Sequence, residues 1–328
     1  MTRLYELKSL SICSPTLFFL LGVFMFNSKE KDKNIFRSGI VAVIGKPNAG
    51  KSTFVNFASG TKVAITSPKP QTTRHKIMGV RTDENTQIIF VDTPGVVKIE
   101  NELDSFMEKI YKEEIIDADI VLFMTDSSVD VSKDDLKAMS LLKKAFSNNI
   151  PVFLILNKCD KNVGDKYFEA YKSLGKFTGV YEISASEGTG IDKLLNDISM
   201  LLPEGPMYFP ADTHTDQSPL LFAAEAVRES ILKLTADEIP HGVFVHTEEM
   251  RDGKSEGTIY FQINIYVERA SHKGIIIGKD GKMLKKIGSM ARKEISSVLN
   301  KNIYLDLWVK VKEKWKNRRD LLRSWGYE

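Results

Sequence analysis

A glycine-rich loop between a short apolar segment and a helix-like segment is the feature that most constrains this chain. Its sequence, at residues 45–52, is Gly-Lys-Pro-Asn-Ala-Gly-Lys-Ser, which fits the phosphate-loop pattern G-x-x-x-x-G-K-[ST]. Residues 39–44 are predicted to form a strand, and residues 52–57 to begin a helix. A phosphate loop requires this order of strand, loop and helix. The sequence therefore predicts a P-loop α/β fold that binds a nucleotide.

Each part of this loop has a predicted role toward the phosphates and a magnesium ion. The glycines let backbone N–H groups curve around a β-phosphate, and the helix N-terminus adds a partial positive charge. Lys51 would supply a point charge to the β- and γ-phosphates, and the Ser52 hydroxyl would ligate Mg²⁺. The nucleotide-binding residues predicted from this loop are Gly45, Lys46, Pro47, Asn48, Ala49, Gly50, Lys51 and Ser52.

Short apolar segments alternate with helix-like stretches from about residue 38 to residue 203. Because these segments are nearly continuous runs of Val, Ile, Leu and Phe, they predict a mostly parallel sheet that is covered by helices on both faces. Ligands of such sheets collect at the carboxyl ends of the strands. The predicted strands are residues 40–44, 87–91, 120–124, 152–156 and 180–183, and the predicted helices include 103–116 and 133–146.

The sequence Asp-Thr-Pro-Gly follows the second predicted strand at residues 92–95, forty-one residues after Lys51. The Asp92 carboxylate can hold Mg²⁺ through water, and the Gly95 N–H can meet the γ-phosphate. The loop beyond Gly95 is free to move when that phosphate leaves. Further nucleotide-binding residues predicted here are Asp92, Thr93, Pro94, Gly95 and Val96.

Two later strand ends carry residues that would recognise the base. Asn-Lys-Cys-Asp occupies residues 157–160, and Ser-Ala occupies residues 184–185. The Asp160 carboxylate can accept hydrogen bonds from guanine N1–H and the exocyclic amine, whereas adenine would leave this charge unpaired. The Ala185 N–H would reach guanine O6. The predicted guanine pocket consists of Asn157, Lys158, Cys159, Asp160, Ser184 and Ala185.

The polar segment Pro-Gln-Thr-Thr-Arg-His, at residues 70–75, lies between the phosphate loop and Asp92. A threonine in a mobile loop of this kind can ligate Mg²⁺ when the γ-phosphate is present. Local sequence leaves an ordinary polar loop as an equal alternative.

Charge is distributed unevenly along the chain. A length of 328 residues predicts about two domains, and two cysteines fit a reducing compartment. Residues 271–328 contain 15 Lys/Arg and 6 Asp/Glu, a balance of +9, although the whole chain carries only +3. One end of the molecule is therefore suited to a polyanion.

The basic end contains Gly-Lys-Asp-Gly at residues 278–281, between an apolar run and a basic helix. The surrounding pattern predicts the order α-β-β-α-α-β from residue 219 to residue 311. Two glycines allow close approach of a nucleic-acid backbone, as in KH modules, which clamp about four nucleotides. Asp280 places an acid inside this clamp. The predicted RNA-binding residues are Gly278, Lys279, Asp280, Gly281, Lys282 and Lys285.

Taken together, these motifs resemble switch GTPases, and G-x-P-N-x-G-K-S with Q-T-T-R-H and D-T-P-G resembles the Era family among them. The resemblance implies GTP hydrolysis with Mg²⁺ and makes Thr73 a magnesium ligand beside Ser52 and Asp92. It also implies a K⁺ ion near the phosphates, held with help from Asn48, because Val96 cannot orient a water molecule. The predicted catalytic residues are Lys51, Asn48, Thr73 and Gly95.

The α-β-β-α-α-β unit and the Trp-containing end also resemble the type II KH domain of Era proteins. From this resemblance, the expected partners are GTP and GDP, the 3′ end of 16S rRNA and the 30S subunit, with a role in small-subunit assembly, a monomeric state and a cytoplasmic location. The predicted domains are an N-terminal extension (1–37), a GTPase domain (38–203), a linker (204–218), a KH domain (219–312) and a basic tail (313–328).

Two alternatives remain open at this stage. Residues 16–26 are mostly apolar, but they are shorter than the ~20 residues that span a membrane. Three readings fit this segment: Met25 is the true start and residues 1–24 are a mis-called extension, or the segment associates with membranes, or it belongs to an exported or organelle-targeted product. With the basic tail, the second reading predicts a GTPase switch on an anionic surface such as the inner membrane. The other alternative is an RNA-binding module with a degenerate nucleotide site.

Overall fold

The computed structural model describes residues 35–96, 98–161, 165–236, 239 and 242–327. Residues 36–328 form one compact unit by their internal contacts. Of the predicted extension at residues 1–37, residues 1–34 lie outside the described residues, so the alternatives for it stay predictions.

The first half of the unit is built on a six-stranded sheet with the order β2-β3-β1-β4-β5-β6, in which only β2 is antiparallel to its neighbour. Each strand except β2 contains a run of apolar residues that the sequence had indicated. The elements are β1 (Arg37–Ile44), α1 (Lys51–Ala58), β2 (Ile77–Asp83), β3 (Thr86–Asp92), α2 (Glu102–Asp117), β4 (Ile120–Asp126), α3 (Lys133–Leu141), α4 (Lys143–Ser147), β5 (Val152–Asn157), α5 (Phe168–Lys172), β6 (Gly179–Ile183) and α6 (Ile191–Leu201).

Two details of this half of the unit differ from the prediction. The helix predicted over residues 133–146 is interrupted at the buried Leu142 and continues as a short second helix. Strand β2 was missed, because an edge strand that pairs on one side needs only weak apolar alternation. Its hairpin turn at Glu84-Asn85 was the available signal.

Helices cover both faces of this sheet, as the apolar strands predicted. In β1, Val41 and Val43 face the cluster that contains α1 and α6, whereas Ala42 and Ile44 face the cluster that contains α2 to α5. This alternation buries both faces, so polar side chains are excluded from the strands and collect at the strand ends.

The segment predicted as a linker, residues 204–218, lies along the open edge of this sheet. The Val80 N–H donates to the His214 carbonyl at 2.8 Å, and the Gln87 side chain accepts from the Tyr208 and Phe209 N–H groups at 2.7 and 3.0 Å. The bond at Val80 satisfies a backbone group of the edge strand β2 that would otherwise be free to pair with another chain, and the Gln87 bonds attach the segment to the next strand, β3.

The second half of the unit has the predicted α-β-β-α-α-β order. A three-stranded sheet, with the order β7-β8-β9, pairs β8 with β7 antiparallel and with β9 parallel, and helices pack on one of its faces. The elements are α7 (Pro219–Leu234), β7 (Val243–Asp252), β8 (Thr258–Val267), α8 (Ala270–Ile277), α9 (Lys282–Leu299) and β9 (Asn302–Val311).

The residues predicted as a basic tail fold back onto the other face of this sheet. A short helix, α10 (Arg319–Ser324), and the fully buried Trp315 and Tyr327 pack against Phe244 of β7. The same cluster contains Leu103, Phe106 and Met107 of α2. The tail therefore lies between α2 and the three-stranded sheet, and Trp315 belongs to the core.

We expect replacement of Trp315 by alanine to lower the free energy of unfolding by about 3 kcal/mol or more, because a large buried side chain would leave a cavity. Urea unfolding followed by circular dichroism measures this change. Trp308, which is 53% exposed, provides the matched control, and its replacement should cost less than about 1 kcal/mol. Equal losses in the two variants would contradict the packing described for the tail.

Candidate functional site

The phosphate loop connects β1 to α1 and requires glycine at two positions. Gly45 and Gly50 have φ angles of +156° and +101°, and an added Cβ would lie 2.2 Å from the Met124 carbonyl oxygen or 2.1 Å from Asn157 Nδ2. The loop thus packs tightly against the ends of neighbouring strands. Its N–H groups lie at the start of α1. This is the geometry of a phosphate-binding site.

The Lys51 ammonium group lies inside this loop. Its Nζ donates to the carbonyl oxygens of Gly45 and Lys46, at 3.1 and 3.0 Å, and the residue is only 6% exposed. Burial lowers the pKa of Lys51 to about 8, against the opposing effect of the Asp92 carboxylate. A buried cation surrounded by carbonyl oxygens and backbone amides is well placed to meet a phosphate.

Three side-chain oxygens from three different segments meet beside the loop. Ser52 Oγ and Thr73 Oγ1 donate to Asp92 Oδ2, at 2.6 and 3.0 Å, and lie 2.9 Å from each other. Asp92 is fully buried, and its other oxygen, Oδ1, is buried with no hydrogen-bond partner in the described structure. Burial raises the pKa of Asp92, while Lys51, Ser52 and Thr73 oppose that change.

This donor set fits Mg²⁺, which prefers hard oxygen ligands and is commonly shared between a few side chains and a nucleotide phosphate. An orphaned buried carboxylate oxygen is the feature that a hydrated cation would satisfy. The three metal ligands predicted from sequence are therefore brought together, although Thr73 comes from a loop more than twenty residues away from Ser52. Elsewhere among the described residues, no group of three or more His, Cys, Asp or Glu could hold a metal ion.

The segment after Asp92 makes close contact with the phosphate loop. Thr93 Oγ1 donates to the Val43 carbonyl at 2.8 Å, and a Cβ added to Gly95 would lie 2.7 Å from Pro47 N. Gly95 is thus the residue that lets the two loops touch. Val96 is 5% exposed and packs in the apolar core, so it offers no polar group at this position.

Asn157 joins the predicted base pocket to the phosphate loop. Its Nδ2 donates to the Ala49 carbonyl at 2.7 Å, and its Oδ1 accepts from the Ala185 N–H at 2.9 Å. That N–H was expected to reach guanine O6, but here it fixes the Asn157 amide. Ser184 Oγ donates to Asp160 Oδ1 at 2.6 Å and so orients the carboxylate. Cys159 lies beside it as a partly exposed free thiol.

Two carboxylates that the sequence analysis missed support these loops. Lys158 Nζ lies 2.5 Å from Asp126 Oδ2, and Lys46 Nζ lies 2.7 Å from the buried Asp135 Oδ2. Burial raises the pKa of Asp126, but Lys158 and the hydrogen bonds from Ser128 together outweigh this effect, so the pKa is lowered. Asp126 ends β4, and the rule that identified Asp92 at the end of β3 would have found it.

The GxxG loop joins α8 to α9 at the other end of the unit. Gly278, Asp280 and Gly281 have φ angles of 70°, 53° and 73°, and a Cβ added to Gly278 would lie 2.6 Å from Met283 Cβ. Lys279 and Lys282 are exposed on this loop. The turn therefore presents its backbone and two cations outward.

A groove of about 490 Å³ runs from this loop between α9 and β9. Lys285 and Arg292 supply positive charge along it, and Tyr304, which is 61% exposed, supplies an aromatic ring. The sequence analysis did not name Arg292 and Tyr304 as candidate site residues. They are far apart in sequence, and only the helical period of α9 combined with the alternation of β9 could have placed both side chains at one groove. The other lining residues are Gly281, Leu284, Gly288, Ser289, Ile303, Leu305 and Leu307.

Comparisons with known proteins agree with a chain of two halves, one with the phosphate loop and one with the GxxG loop. The family described as 50S ribosome-binding GTPase matches residues 40–158, and the KH domain family matches residues 238–316. GTPase Era of Halothermothrix orenii is 45% identical over 89% of this chain and 99% of its own length. This chain belongs to the Era family of GTPases.

Solved structures of Era-family proteins have the same architecture. A crystal structure of Era in complex with MgGDPNP and nucleotides 1506-1542 of 16S ribosomal RNA matches with a TM-score of 0.85 and 39% identity over 89% of this chain and 99% of that one. A variant of Aquifex aeolicus Era bound to GDP.AlF4- matches with a TM-score of 0.84 and 38% identity over the same shares of the two chains. This Era-family protein is therefore a GTPase with a G domain and a KH domain.

No helix in the described part of this Era-family chain has the length and apolar character needed to cross a membrane. The apolar residues 16–26 lie outside that part, so their predicted association with a membrane stays untested.

For base selection, we expect Asp160→Asn to weaken GTP binding by at least about tenfold and to favour xanthosine triphosphate, because the amide offers a donor to the C2 oxygen. Fluorescence titration with both nucleotides measures the change. Asp165→Asn, which makes the same change at an exposed carboxylate outside the predicted pocket, should leave the preference for guanine unaltered. An Asp160→Asn protein that still prefers GTP would place the base pocket elsewhere.

Proposed function

We propose that this protein is a GTP-controlled RNA-binding protein that captures the 3′ end of 16S rRNA and acts in assembly of the 30S subunit. The position of Thr73 carries the proposal. Its hydroxyl meets Ser52 and Asp92, and the loop that bears it contacts the KH half of the chain. A residue that would sense the γ-phosphate thus lies in a loop that is bonded to the half of the chain that carries the candidate RNA groove.

In the nucleotide half, Lys51 would hold the β- and γ-phosphates, and Ser52, Thr73 and Asp92 would hold Mg²⁺. Loss of the γ-phosphate would remove the group that keeps Thr73 at this site, as in other switch loops. When bound, Mg²⁺ would supply positive charge that stabilises the phosphates during hydrolysis. Asp160 would select guanine, as described above.

In the KH half, the exposed GxxG loop and the groove beside it would hold a single RNA strand. Lys279, Lys282 and Lys285 would meet phosphates, the glycines would let the backbone approach, and Tyr304 offers a ring against which a base can stack. The Era relative bound to nucleotides 1506-1542 of 16S ribosomal RNA, with its similar fold, supports the choice of RNA. GTP and RNA would then favour one another by reciprocity.

The RNA role can be tested with a pair of matched glycine variants. Gly281 and Gly257 have φ angles of +73° and +71°, and an added Cβ at either meets no atom within 4 Å. We expect Gly281→Asp to lower affinity for a 3′-terminal 16S rRNA oligonucleotide at least about tenfold, because it adds a negative charge beside the phosphates. Gly257→Asp, in the β7–β8 turn, should stay within about twofold.

Filter binding in the presence of a GTP analogue, with a scrambled oligonucleotide as the specificity control, measures these affinities. Equal affinities for the two variants would separate the GxxG loop from RNA binding. The same assay with GDP tests the coupling, since wild-type protein should bind RNA more tightly with the analogue.

We also propose that a K⁺ ion assists hydrolysis near Asn48. The Asn48 Nδ2 donates to the Pro68 carbonyl at 2.7 Å, so the amide oxygen is the atom available to face a cation. With Val96 apolar and buried, a fixed positive charge would stabilise the developing negative charge instead.

Hydrolysis in the presence of RNA should be at least about tenfold faster in KCl than in NaCl, and Asn48→Ala should remove this difference. Phosphate release measures both rates. Equal rates in the two salts for the wild-type protein would eliminate K⁺ from the proposal.

A further inference from the structure

The loop that carries Thr73 is held from outside by the KH half. The Thr66 N–H donates to Glu229 Oε1 at 3.1 Å, and Arg74 Nη1 donates to the Val243 carbonyl at 2.6 Å. Between these two points, Arg228 donates to the carbonyl oxygen of Thr72. Thr73 is therefore flanked on both sides by residues that bond to α7 or β7.

Arg228 is placed by a buried ion pair on its own helix. Its Nε and Nη2 donate to Glu225 Oε1 and Oε2, at 2.8 and 2.5 Å. Arg228 and Glu225 are only 1% and 4% exposed. The bidentate pairing fixes the guanidinium plane, so the same Nη2 is aimed at Thr72 with little remaining freedom.

A buried ion pair is a poor way to gain stability, because the loss of hydration offsets much of the attraction. Packed hydrophobic residues at positions 225 and 228 of α7 would join the two halves at least as well. What an apolar side chain cannot do is donate a directed hydrogen bond to a backbone carbonyl of the neighbouring domain. The chemistry of this pair therefore indicates a role in positioning the backbone carbonyl that Arg228 bonds, rather than a role in stability.

The bond to Thr72 acts directly on Thr73. The Thr72 carbonyl and the Thr73 N–H belong to one planar peptide group. Fixing the carbonyl therefore fixes the starting direction of Thr73, whose Oγ1 lies 3.0 Å from Asp92 Oδ2. A rotation of this peptide would carry the hydroxyl away from Asp92 and Ser52, and would leave a buried donor on Arg228 without its partner.

We propose that Arg228 of the KH half is a positioning residue for the magnesium ligand Thr73, acting through the Thr72 carbonyl with Glu225 as its anchor. The proposal rests on the function proposed above. The KH half then contributes to nucleotide discrimination even without RNA, because it stabilises the loop conformation that a γ-phosphate and Mg²⁺ require. A movement of α7 that breaks this bond would release Thr73.

The test is a comparison of nucleotide affinities in full-length protein without RNA. Arg228→Lys keeps the positive charge but loses the fork that bonds Glu225 and Thr72 together. We expect its affinity for a non-hydrolysable GTP analogue with Mg²⁺ to fall about tenfold, and its affinity for GDP to stay within about twofold. Stopped-flow fluorescence with labelled nucleotides gives both values.

Lys62→Met is the matched control for general loosening of the interface. Lys62 pairs with Glu229 and Glu294 of the KH half, at 2.6 and 3.0 Å, but lies at the far end of the loop from Thr73. This variant should change the ratio of analogue to GDP affinity by less than about twofold. If it lowers the ratio as much as Arg228→Lys does, or if Arg228→Lys leaves the ratio unchanged, the positioning role is wrong.

Hydrogen exchange on the wild-type protein keeps the proposal testable if Arg228→Lys does not fold. The analogue should slow exchange in residues 66–75 and also in 225–235, relative to GDP, because the bond couples the two segments. Unchanged exchange in 225–235 would overturn the inference. These measurements contain no RNA, so their failure is separate from failure of the RNA-binding function, which the oligonucleotide assay decides.

Discussion

The Asp92 carboxylate at the end of β3 is the interaction on which the rest of the structure depends. It is fully buried and accepts hydrogen bonds from Ser52 and Thr73. Burial of a charge is costly unless hydrogen bonds or a cation compensate, so this carboxylate draws a helix start and a distant loop to one point. The phosphate loop, the candidate magnesium ligands and the loop at residues 66–75 meet at this carboxylate.

From this point the structure extends in two directions. Toward the base, Asn157 connects the phosphate loop to the loop after β6 by bonding Ala49 and Ala185. Toward the KH half, the loop at residues 66–75 is bonded to α7 and β7. Each bond joins a side chain to a backbone group: the Glu229 and Arg228 side chains bond the loop backbone, and the Arg74 side chain of the loop bonds the Val243 carbonyl. Both connections are short and directed, so the base pocket and the KH half each bond directly to a segment that lines the phosphate site.

Packing at the interface between the halves explains why residues 313–328 are more than a charged extension. Trp315, Leu322 and Tyr327 fill the space between α2 and the outer face of the KH sheet, and His75 stacks on Tyr327 with ring centres 4.4 Å apart. Burial lowers the pKa of His75 to about 4, so the stacked imidazole is neutral at ordinary pH. The basic side chains of this segment flank apolar residues that are buried. The sequence pattern alone did not distinguish this arrangement from a solvated basic tail.

The sequence by itself determined the α/β sheet, the α-β-β-α-α-β unit and the candidate residues at the strand ends, because apolar periodicity and motif spacing are local properties. It did not determine strand β2, the break at Leu142, the covered tail or the groove residue Tyr304. Nor did it indicate that Arg228, a charge inside an apolar helix, would reach the Thr72 carbonyl. Only tertiary structure decided these features, since each depends on which distant surface covers a residue, and that surface is set by packing of the whole chain.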